Sequence, residues 1–452
     1  MLINFSLSNF LSFNERQTFS MNAGKSRKFS ERIYKDKNNK LTKCNVIFGA
    51  NASGKSNLIE AFKFIQETIV VNLPTGFTQK YYRQIQENKN LPSAFEVEIL
   101  FDNERIIYGF SIILSSGKIQ NEYMYVLNSS NTKKTIFYRD LQNDSFNVGE
   151  HFKKDIANRL YMYGEDSMAD PELLFITNIN HGKSRLFEDY PDLKILSKVY
   201  LWFRDSLTVS NPNDILTGYP YMANTNLNDL AKLLNALGTG IENLRIVEIS
   251  LETIKSKIPS ELLGRIISDL EKASIKEIKK DPTVMIRSYK EFFTFELDED
   301  KNLIIKTIEF SHENKDVYFR LKEESDGTAR LLDLLEILFH VSDNSVFVID
   351  EMDRCLHPVI TTRIVNLFLD LAKKRNTQLI FTTHESRLLA TETLRNDEIS
   401  FIVKNSSGES IINPLEKYQL RSDKKVYSAM FDGTMPDVIP KYKEETIKNI
   451  CS

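Results

Sequence analysis

Cysteine, long apolar runs and an excess of charge of one sign are scarce or missing in this sequence of 452 residues. The three cysteines, Cys44, Cys355 and Cys451, lie far apart without Cys-x-x-Cys spacing, which argues against a disulfide framework or a zinc ribbon and favours a reducing cytosol. No window reaches the about 18 uninterrupted apolar residues that a membrane span requires. The formal net charge of −3 excludes a chain that binds polyanions with its whole surface. We therefore expect a soluble, cytoplasmic protein with no membrane contact, long enough for two or three domains or for one large domain carrying insertions.

Segments typical of strands and of helices both occur along the chain. The N-terminal "MLINFSLSNFLSF" predicts a strand, and the stretch from Lys25 to Lys43 a lysine-rich loop or ragged hairpin. The apolar "NVIF" predicts a buried strand, and period-two alternation from Ser93 to Arg139 an antiparallel meander. Helices are predicted over "LKILSKVYLWFRDSL" and "LNDLAKLLNAL" and in an arm broken at Pro259. A hairpin over "FFTFEL" and "LIIKTIEF", the strands "VFVID" and "QLIFTT", and a final hairpin complete an α/β pattern.

A glycine-rich loop directly follows the strand "NVIF". The loop "GANASGKS" fits the pattern of glycine, four residues and Gly-Lys-Ser, and it opens an amphipathic helix. In such a loop, backbone N–H groups surround the phosphates of a nucleotide, the lysine neutralises their charge and the serine hydroxyl binds Mg²⁺. A Gly/Ser turn that matches by accident is the alternative, but the strand before and the helix after favour the nucleotide. The predicted ATP-binding residues are Gly49, Ala50, Asn51, Ala52, Ser53, Gly54, Lys55, Ser56 and Asn57, with Ser56 also a metal ligand.

Two further apolar strands end in polar residues. In "VFVIDEMD", Asp350 at the strand tip is predicted to hold Mg²⁺ with its water shell, and Glu351 to orient or deprotonate the attacking water. In "QLIFTTHES", His384 is predicted to contact the γ-phosphate. A solvated acidic turn and a loop histidine are the alternatives. The spacing between Asp350 and His384 allows one helical crossover that brings both residues to the same edge of a parallel sheet.

Between these motifs, a serine and a glycine open a helix in "ESDGTARLL". The order of the segments resembles that of the ATP-binding-cassette (ABC) ATPases, with "ESDGT" in the place of their signature motif and Asp353 in that of the D-loop aspartate. The resemblance implies that Ser325, Gly327 and Thr328 contact the γ-phosphate of ATP bound to another subunit. An ordinary helix cap followed by core leucines is the alternative, and the two interpretations are compatible. Gln84 and Gln86 are the candidates for a Q-loop.

Nearly the whole chain resembles a narrower group, the AAA family 15 ATPases, which are RloA-like and abortive-infection ATPases related to the ATPase part of overcoming-lysogenization-defect proteins. The matching stretches include "NFLSF", "IFGANASGKSNLIEAF", "NEYMYV", "ESDGTARLL", "VIDEMDRCLHP", "FTTHESRLL" and "KKVYSAMFDGTMPDVI". The resemblance implies a fold of α/β class: an ABC-type P-loop ATPase head with an antiparallel β lobe and a helical insertion. The predicted division is an N-terminal ATPase lobe over residues 1–140, a helical insertion or arm over 141–290, and a C-terminal ATPase lobe over 291–452.

The same resemblance implies an ATPase with ATP and Mg²⁺ as cofactors, acting as a homodimer or higher homo-oligomer in bacterial anti-phage defence. The chain after His384 is too short for the Toprim nuclease domain of the lysogenization-defect proteins, so we expect a separately encoded effector, of which a Toprim-like nuclease is one form. An ATPase of DNA repair or recombination acting on DNA ends is the alternative. The basic stretch from Lys25 to Lys43 is compatible with DNA contact, but a solvated loop is favoured.

Overall fold

The fold is described from a computed structural model. It covers residues 1–101, 103–128, 132–212, 226–275, 283–288, 291–298, 300–339, 344–390, 393–420, 425–435 and 437–438. The last residues of the predicted helical arm, part of the C-terminal stretch "KKVYSAMFDGTMPDVI" and Cys451 lie outside the described residues.

Strands and helices alternate along the chain, with the strands concentrated in its N-terminal third. The strands are β1 (Leu2–Ser8), β2 (Gln17–Ser20), β3 (Tyr34–Lys35), β4 (Lys40–Leu41), β5 (Cys44–Phe48), β6 (Ser93–Phe101), β7 (Glu104–Ile113), β8 (Lys118–Leu127), β9 (Lys133–Asp140), β10 (Ser145–Val148), β11 (Leu207–Ser210), β12 (Asn243–Glu248), β13 (Thr283–Ser288), β14 (Glu291–Leu297), β15 (Leu303–Ser311), β16 (Phe319–Arg320), β17 (Val346–Ile349), β18 (Gln378–Thr382), β19 (Ile399–Lys404) and β20 (Ser410–Pro414). The helices are α1 (Lys55–Val70), α2 (Lys154–Met168), α3 (Phe175–Asn180), α4 (Ser184–Asp189), α5 (Lys194–Leu201), α6 (Leu227–Ala236), α7 (Leu251–Lys255), α8 (Ser260–Ile275), α9 (Asp326–Phe339), α10 (Pro358–Ala372), α11 (Arg387–Ala390) and α12 (Val426–Phe431).

A mainly parallel sheet of six strands contains the three strands that precede the predicted site residues. Its order is β11-β17-β18-β5-β19-β20, and only the pairing of β19 with β20 is antiparallel. The strands β5, β17 and β18 are fully buried, as expected for a parallel sheet covered on both faces. Because β17, β18 and β5 run in the same direction, their carboxyl ends meet at one edge.

An antiparallel sheet of seven strands forms the β lobe, with the order β10-β9-β8-β7-β6-β1-β2. It confirms the predicted meander, and β10 is one more strand than the pattern indicated. The helix α1 packs on this sheet through aromatic side chains: the ring of Phe62 stacks on Phe5 with centroids 4.0 Å apart, and Phe64 contacts Phe10 and Phe95. The same core includes buried residues of β5 and β17. The helix that follows the glycine loop is therefore held by both sheets.

A buried ion pair ties the β lobe to the helices that follow it. The side chains of Glu122 and Arg139 are both fully buried. Glu122 accepts hydrogen bonds from the N–H groups of Phe175 and Ile176 at the start of α3, and Arg139 donates to backbone carbonyls at the end of α2 and just after it. Burial raises the pKa of the Glu122 carboxyl, and Arg139 opposes that rise. Helices α2 and α3 thus pack with the meander, across the predicted boundary at residue 140.

The chain divides into two compact units, Met1–Pro212 with Ser342–Met352 and Val365–Ser452, and Asn213–Val341 with Asp353–Ile364. The second unit contains a sheet of order β12-β15-β14-β13, with β16 paired to β15. Its apolar core joins Ile254, Leu263 and Leu270 to Phe295 and Ile305. The pairing of β12 with β15 crosses the predicted boundary at residue 290. The predicted helical insertion therefore also contains strands.

One predicted helix is shorter than its pattern. The segment "LKILSKVYLWFRDSL" forms α5 only to Leu201, continues as a π-helical turn over Trp202–Ser206, and then enters β11. The side-chain amide of Gln66 donates to the carbonyl oxygens of Phe203 (2.8 Å) and Leu207 (2.5 Å), which satisfies groups that a continuing helix would have used. Apolar spacing alone does not reveal such a tertiary partner.

Within the described residues, no helix is long and apolar enough to cross a membrane.

Candidate functional site

The phosphate loop connects β5 to α1, as the motif predicted. Its tip turns through left-handed backbone at Ala52 (φ 62°) and Gly54 (φ 111°). A Cβ atom at Gly54 would lie 2.2 Å from the Oγ atom of Ser410 and 2.7 Å from that of Ser12, so only glycine fits there. Ser410 also donates to the carbonyl of Ser53 at 2.6 Å. The loop is therefore held from behind by serines of two other segments.

The residues inside the loop have the chemistry that phosphate binding needs. The Nζ atom of Lys55 donates to the carbonyl oxygens of Gly49 (2.9 Å) and Ala50 (3.1 Å), and the residue is 6% exposed. The Oγ atom of Ser53 is buried and has no hydrogen-bond partner. A buried hydroxyl without a partner is costly, and Ser53 is one of the residues that line the cavity described below. Ser56 is exposed, whereas the side-chain amide of Asn57 donates to Ser12 Oγ at 2.7 Å.

The carboxylates follow β17 in a tight turn. Asp350 is 2% exposed, and its backbone N–H donates to the carbonyl of Ser210 in β11. Glu351 adopts the left-handed region at φ 45°, which is uncommon for a residue other than glycine. Thr382, the last residue of β18, donates its hydroxyl to Asp350 Oδ1 at 2.5 Å and accepts the N–H of Glu351 at 2.7 Å. The sequence predicted both carboxylates but gave Thr382 no role.

A single cavity of about 580 Å³ joins these groups. It is lined by the loop residues from Asn51 to Asn57 and by Glu351 and His384. His384 is exposed and follows β18, the strand that lies between β17 and β5. The helical crossover predicted between Asp350 and His384 is therefore confirmed: β17, α10 and β18 form it. Gln84 and Gln86 are exposed and do not line this cavity.

The predicted signature residues belong to the second compact unit. Ser325 precedes α9, and its Oγ atom accepts the N–H of Thr328 at 3.1 Å and lies 2.9 Å from Thr328 Oγ1. This is a helix cap, the alternative interpretation of the segment. A Cβ atom at Gly327 would lie 2.9 Å from the carbonyl oxygen of Cys355, in the loop that begins at Asp353. Gly327 thus permits a close backbone approach within its own unit, and the role of these residues toward a second copy stays a prediction.

The hydroxyl of Ser56 and the carboxylate of Asp350 are oxygen donors of the kind that Mg²⁺ prefers. Among the described residues, no group of three or more His, Cys, Asp and Glu side chains is arranged to hold a metal by itself. Mg²⁺ takes few protein ligands and completes its octahedron with water and phosphate oxygens. Ser56, which lines the cavity, and Asp350, which directly precedes Glu351, are the residues predicted to hold it.

Three residues that support the site were missed by sequence reasoning. Thr382 lies at the last buried position of an apolar strand, and a polar residue at such a position was a usable signal. Ser12 and Ser410 are distant in sequence, yet their Oγ atoms lie 2.7 Å apart behind the loop. Nothing local in the sequence connects them.

The strand order, the phosphate loop and the carboxylates at the end of β17 define an α/β P-loop ATPase fold with an antiparallel β lobe, as the sequence predicted. A family model described as "AAA domain, putative AbiEii toxin, Type IV TA system" matches residues 44–156 and 195–390, which is more than half of the chain. The chain belongs to this AAA family. The narrower assignment to the RloA-like ATPases stays a prediction.

Three solved structures of SMC heads match over nearly the whole chain. One is described as the SmcHead bound to the C-winged helix domain of ScpA (12% identity, 91% of this chain and 97% of that chain, TM-score 0.37). The others are the SMC head domain from Thermotoga maritima (16%, 91% and 98%, 0.32) and the Smc head domain with an extended coiled coil bound to the C-terminal domain of ScpA derived from Pyrococcus furiosus (14%, 92% and 97%, 0.33). Such values are too low to transfer an activity or a partner. No curated protein matches significantly.

Proposed function

We propose that the chain binds and hydrolyses ATP at the cavity lined by the phosphate loop, Glu351 and His384. The observation that carries the proposal is this cavity, which is lined by the loop residues after β5, by Glu351 after β17 and by His384 after β18. The backbone N–H groups at the start of α1 and the ammonium of Lys55 bind the phosphates, because both present positive charge to the anion. The family membership supports the same activity.

In the proposed mechanism, water attacks the γ-phosphorus while the bond to the β–γ bridging oxygen breaks, so that ADP leaves and the proton of the water passes to the released phosphate or to solvent. Glu351 accepts a hydrogen bond from the attacking water and orients it in line with the bond that breaks. His384 donates a hydrogen bond to a γ-phosphate oxygen, where negative charge is to be stabilised. Ser56 and Asp350 would hold Mg²⁺, which would neutralise charge on the phosphate oxygens.

The second element of the proposal is a composite site with another copy of the chain. Ser325, Gly327 and Thr328, with Asp353, are proposed to complete the site of a second subunit, as the resemblance to ABC ATPases implies. The exposure of Ser325 is compatible with such contact.

Mixing two inactive variants tests the composite site. Chains with Lys55→Ala and chains with Ser325→Ala are each expected to lack hydrolysis. After mixing, random pairing makes half of the dimers mixed, and each mixed dimer has one intact site of its two. We therefore expect roughly a quarter of the wild-type rate. The control is a mixture of Lys55→Ala with Glu351→Gln, in which both defects fall in the same half of the site and no activity returns. Full hydrolysis by a demonstrated monomer would refute the composite site.

For the biological role, we propose the regulatory ATPase of a bacterial anti-phage, abortive-infection system that controls a separately encoded effector nuclease. The matched family's description, which names AbiEii toxin and a type IV toxin–antitoxin system, and the resemblance to RloA-like ATPases support a place in such systems.

A second candidate, an ATPase acting on DNA, is favoured by one observation on the hairpin β3–β4. Lys35 and Lys40 face each other across the two strands, and both are exposed. Like charges in directly opposed positions destabilise a sheet, so this arrangement has a cost that a bound polyanion would remove. The preceding part of the loop is fixed to the core, because the buried guanidinium of Arg395 donates to the carbonyl oxygens of Ser26 and Lys28.

The two roles predict different partners. A regulatory ATPase is expected to copurify with the product of a neighbouring gene in a complex that depends on Mg-ATP. A DNA ATPase is expected to bind duplex DNA with an affinity that falls steeply with salt, and Lys35→Ala/Lys40→Ala is expected to reduce the slope of log K against log salt by about 2. If the double variant bound DNA like wild type, the hairpin β3–β4 would not be the DNA-binding surface, and it would no longer support the second candidate.

A further inference from the structure

Thr382 is bonded to all three successive residues of the carboxylate turn. Its hydroxyl donates to Asp350 Oδ1, its hydroxyl oxygen accepts the N–H of Glu351, and its carbonyl oxygen accepts the N–H of Met352 at 3.0 Å. Thr382 is fully buried, so water does not compete for these bonds. One residue of β18 thus determines the position of the whole turn.

The donor and the acceptor in each of the two hydrogen bonds of the Thr382 hydroxyl can be assigned. A backbone N–H can only donate, so the hydroxyl oxygen must accept from Glu351, and its single proton is left for Asp350. That proton is donated to Oδ1 of Asp350, the residue proposed to hold the cation. The same hydroxyl therefore links Asp350, the proposed metal ligand, to Glu351, the residue proposed to orient the attacking water.

The backbone of Glu351 shows why such a link is needed. Its φ of 45° lies in the left-handed region, where a side chain with a Cβ atom crowds the backbone. A residue keeps this conformation only when its surroundings enforce it. The bonds of Thr382 to residues 350, 351 and 352 provide that enforcement.

We propose that Thr382 is a positioning residue, which holds Glu351 toward the cavity and Asp350 toward the metal. The proposal rests on the proposed ATPase function and deepens it. Thr382 does not line the cavity and acts only through these two carboxylates.

The test compares Thr382→Val, which keeps the shape but removes the hydroxyl, with Thr382→Ser, which keeps the hydroxyl. For Thr382→Val we expect kcat to fall about 100-fold, because two buried hydrogen bonds are lost, one of them to a charged group. The apparent affinity for Mg²⁺ in the ATP complex is expected to fall about 10-fold, whereas ATP binding in EDTA stays within about 2-fold of wild type. Thr382→Ser is expected to stay within about 5-fold of wild type in kcat.

Thr377→Val is the matched control. Thr377 immediately precedes the same strand, is fully buried, and its Oγ1 atom has no hydrogen-bond partner. We expect this variant to keep the wild-type kcat and Mg²⁺ dependence. Equal losses in Thr382→Val and Thr377→Val, or a loss of ATP binding in EDTA that matches the loss of kcat, would overturn the positioning role.

A second readout separates this inference from the proposed function. Hydrogen exchange at the Glu351 amide needs no nucleotide, and Thr382→Val is expected to accelerate it while Thr382→Ser is not. If the wild-type chain did not hydrolyse ATP, the proposed ATPase function would be refuted. Protection of the Glu351 amide from exchange would still test the positioning role of Thr382. Unchanged exchange in Thr382→Val would refute the positioning role whatever the activity.

Discussion

Two helices of this protein begin next to serine and glycine, and their N-termini are satisfied in opposite ways. At the start of α1, the N-cap residue Gly54 makes no side-chain capping bond, and the neighbouring Ser53 hydroxyl is buried without a partner. At the start of α9, the exposed Ser325 caps the N–H of Thr328. The first terminus lines the cavity and has no side-chain cap, whereas the second has a serine cap.

The helix without a cap, α1, begins at the candidate ligand site, whereas the capped helix, α9, is stabilised within its own segment. An uncapped helix N-terminus with a buried lysine favours an anion, because the exposed N–H groups and the helix dipole both carry positive charge. A capped N-terminus has no such need, so any contact of Ser325 with nucleotide must compete with its capping bond. We therefore expect changes at α1 to act on binding and changes at α9 to act partly on stability.

The largest effect is expected at Lys55. Replacement by alanine removes the ammonium that lies beside the loop carbonyls, so we expect ATP affinity to fall at least about 100-fold, the equivalent of losing one or two charge-assisted hydrogen bonds. Isothermal titration calorimetry with ATP measures this directly.

The control for Lys55→Ala is Lys63→Ala, two turns further along the same helix and away from the cavity. This variant is expected to bind ATP like wild type. If Lys55→Ala bound ATP like wild type, the conclusion that the N-terminus of α1 forms the phosphate site would be wrong.

The candidate site could be predicted from the sequence because each of its motifs directly follows a recognisable apolar strand. The loop from Gly49 to Ser56, Asp350, Glu351 and His384 all follow apolar strands, and parallel strands bring their carboxyl ends together whatever lies between them in the chain. For that reason the cavity was predictable from segments more than 300 residues apart.

The features that local patterns missed depend on tertiary partners. The π-helical turn after α5 is satisfied by Gln66. The strand β12 was not predicted because its burial does not alternate: Leu244 is buried, whereas Ile246 on the same face is exposed. The packing of α2 and α3 on the meander depends on the ion pair of Glu122 and Arg139, whose further partners are backbone groups that no residue pattern records. Thr382 belongs to the same class, since its role appears only when β17 and β18 are adjacent.

The smaller effect is expected at Ser325, where stability and catalysis can be separated. Alanine removes the cap, so Ser325→Ala is expected to lower the free energy of unfolding by about 1 kcal/mol, whereas Ser325→Asn, which also caps, is expected to change it by only a few tenths. Urea denaturation measures both. If the hydroxyl also contacts ATP of a second copy, Ser325→Asn still loses hydrolysis despite its normal stability. If hydrolysis is instead lost only in Ser325→Ala, the less stable variant, then Ser325 acts only as a helix cap. The N-termini of α1 and α9 would then differ in function as well as in their hydrogen bonds.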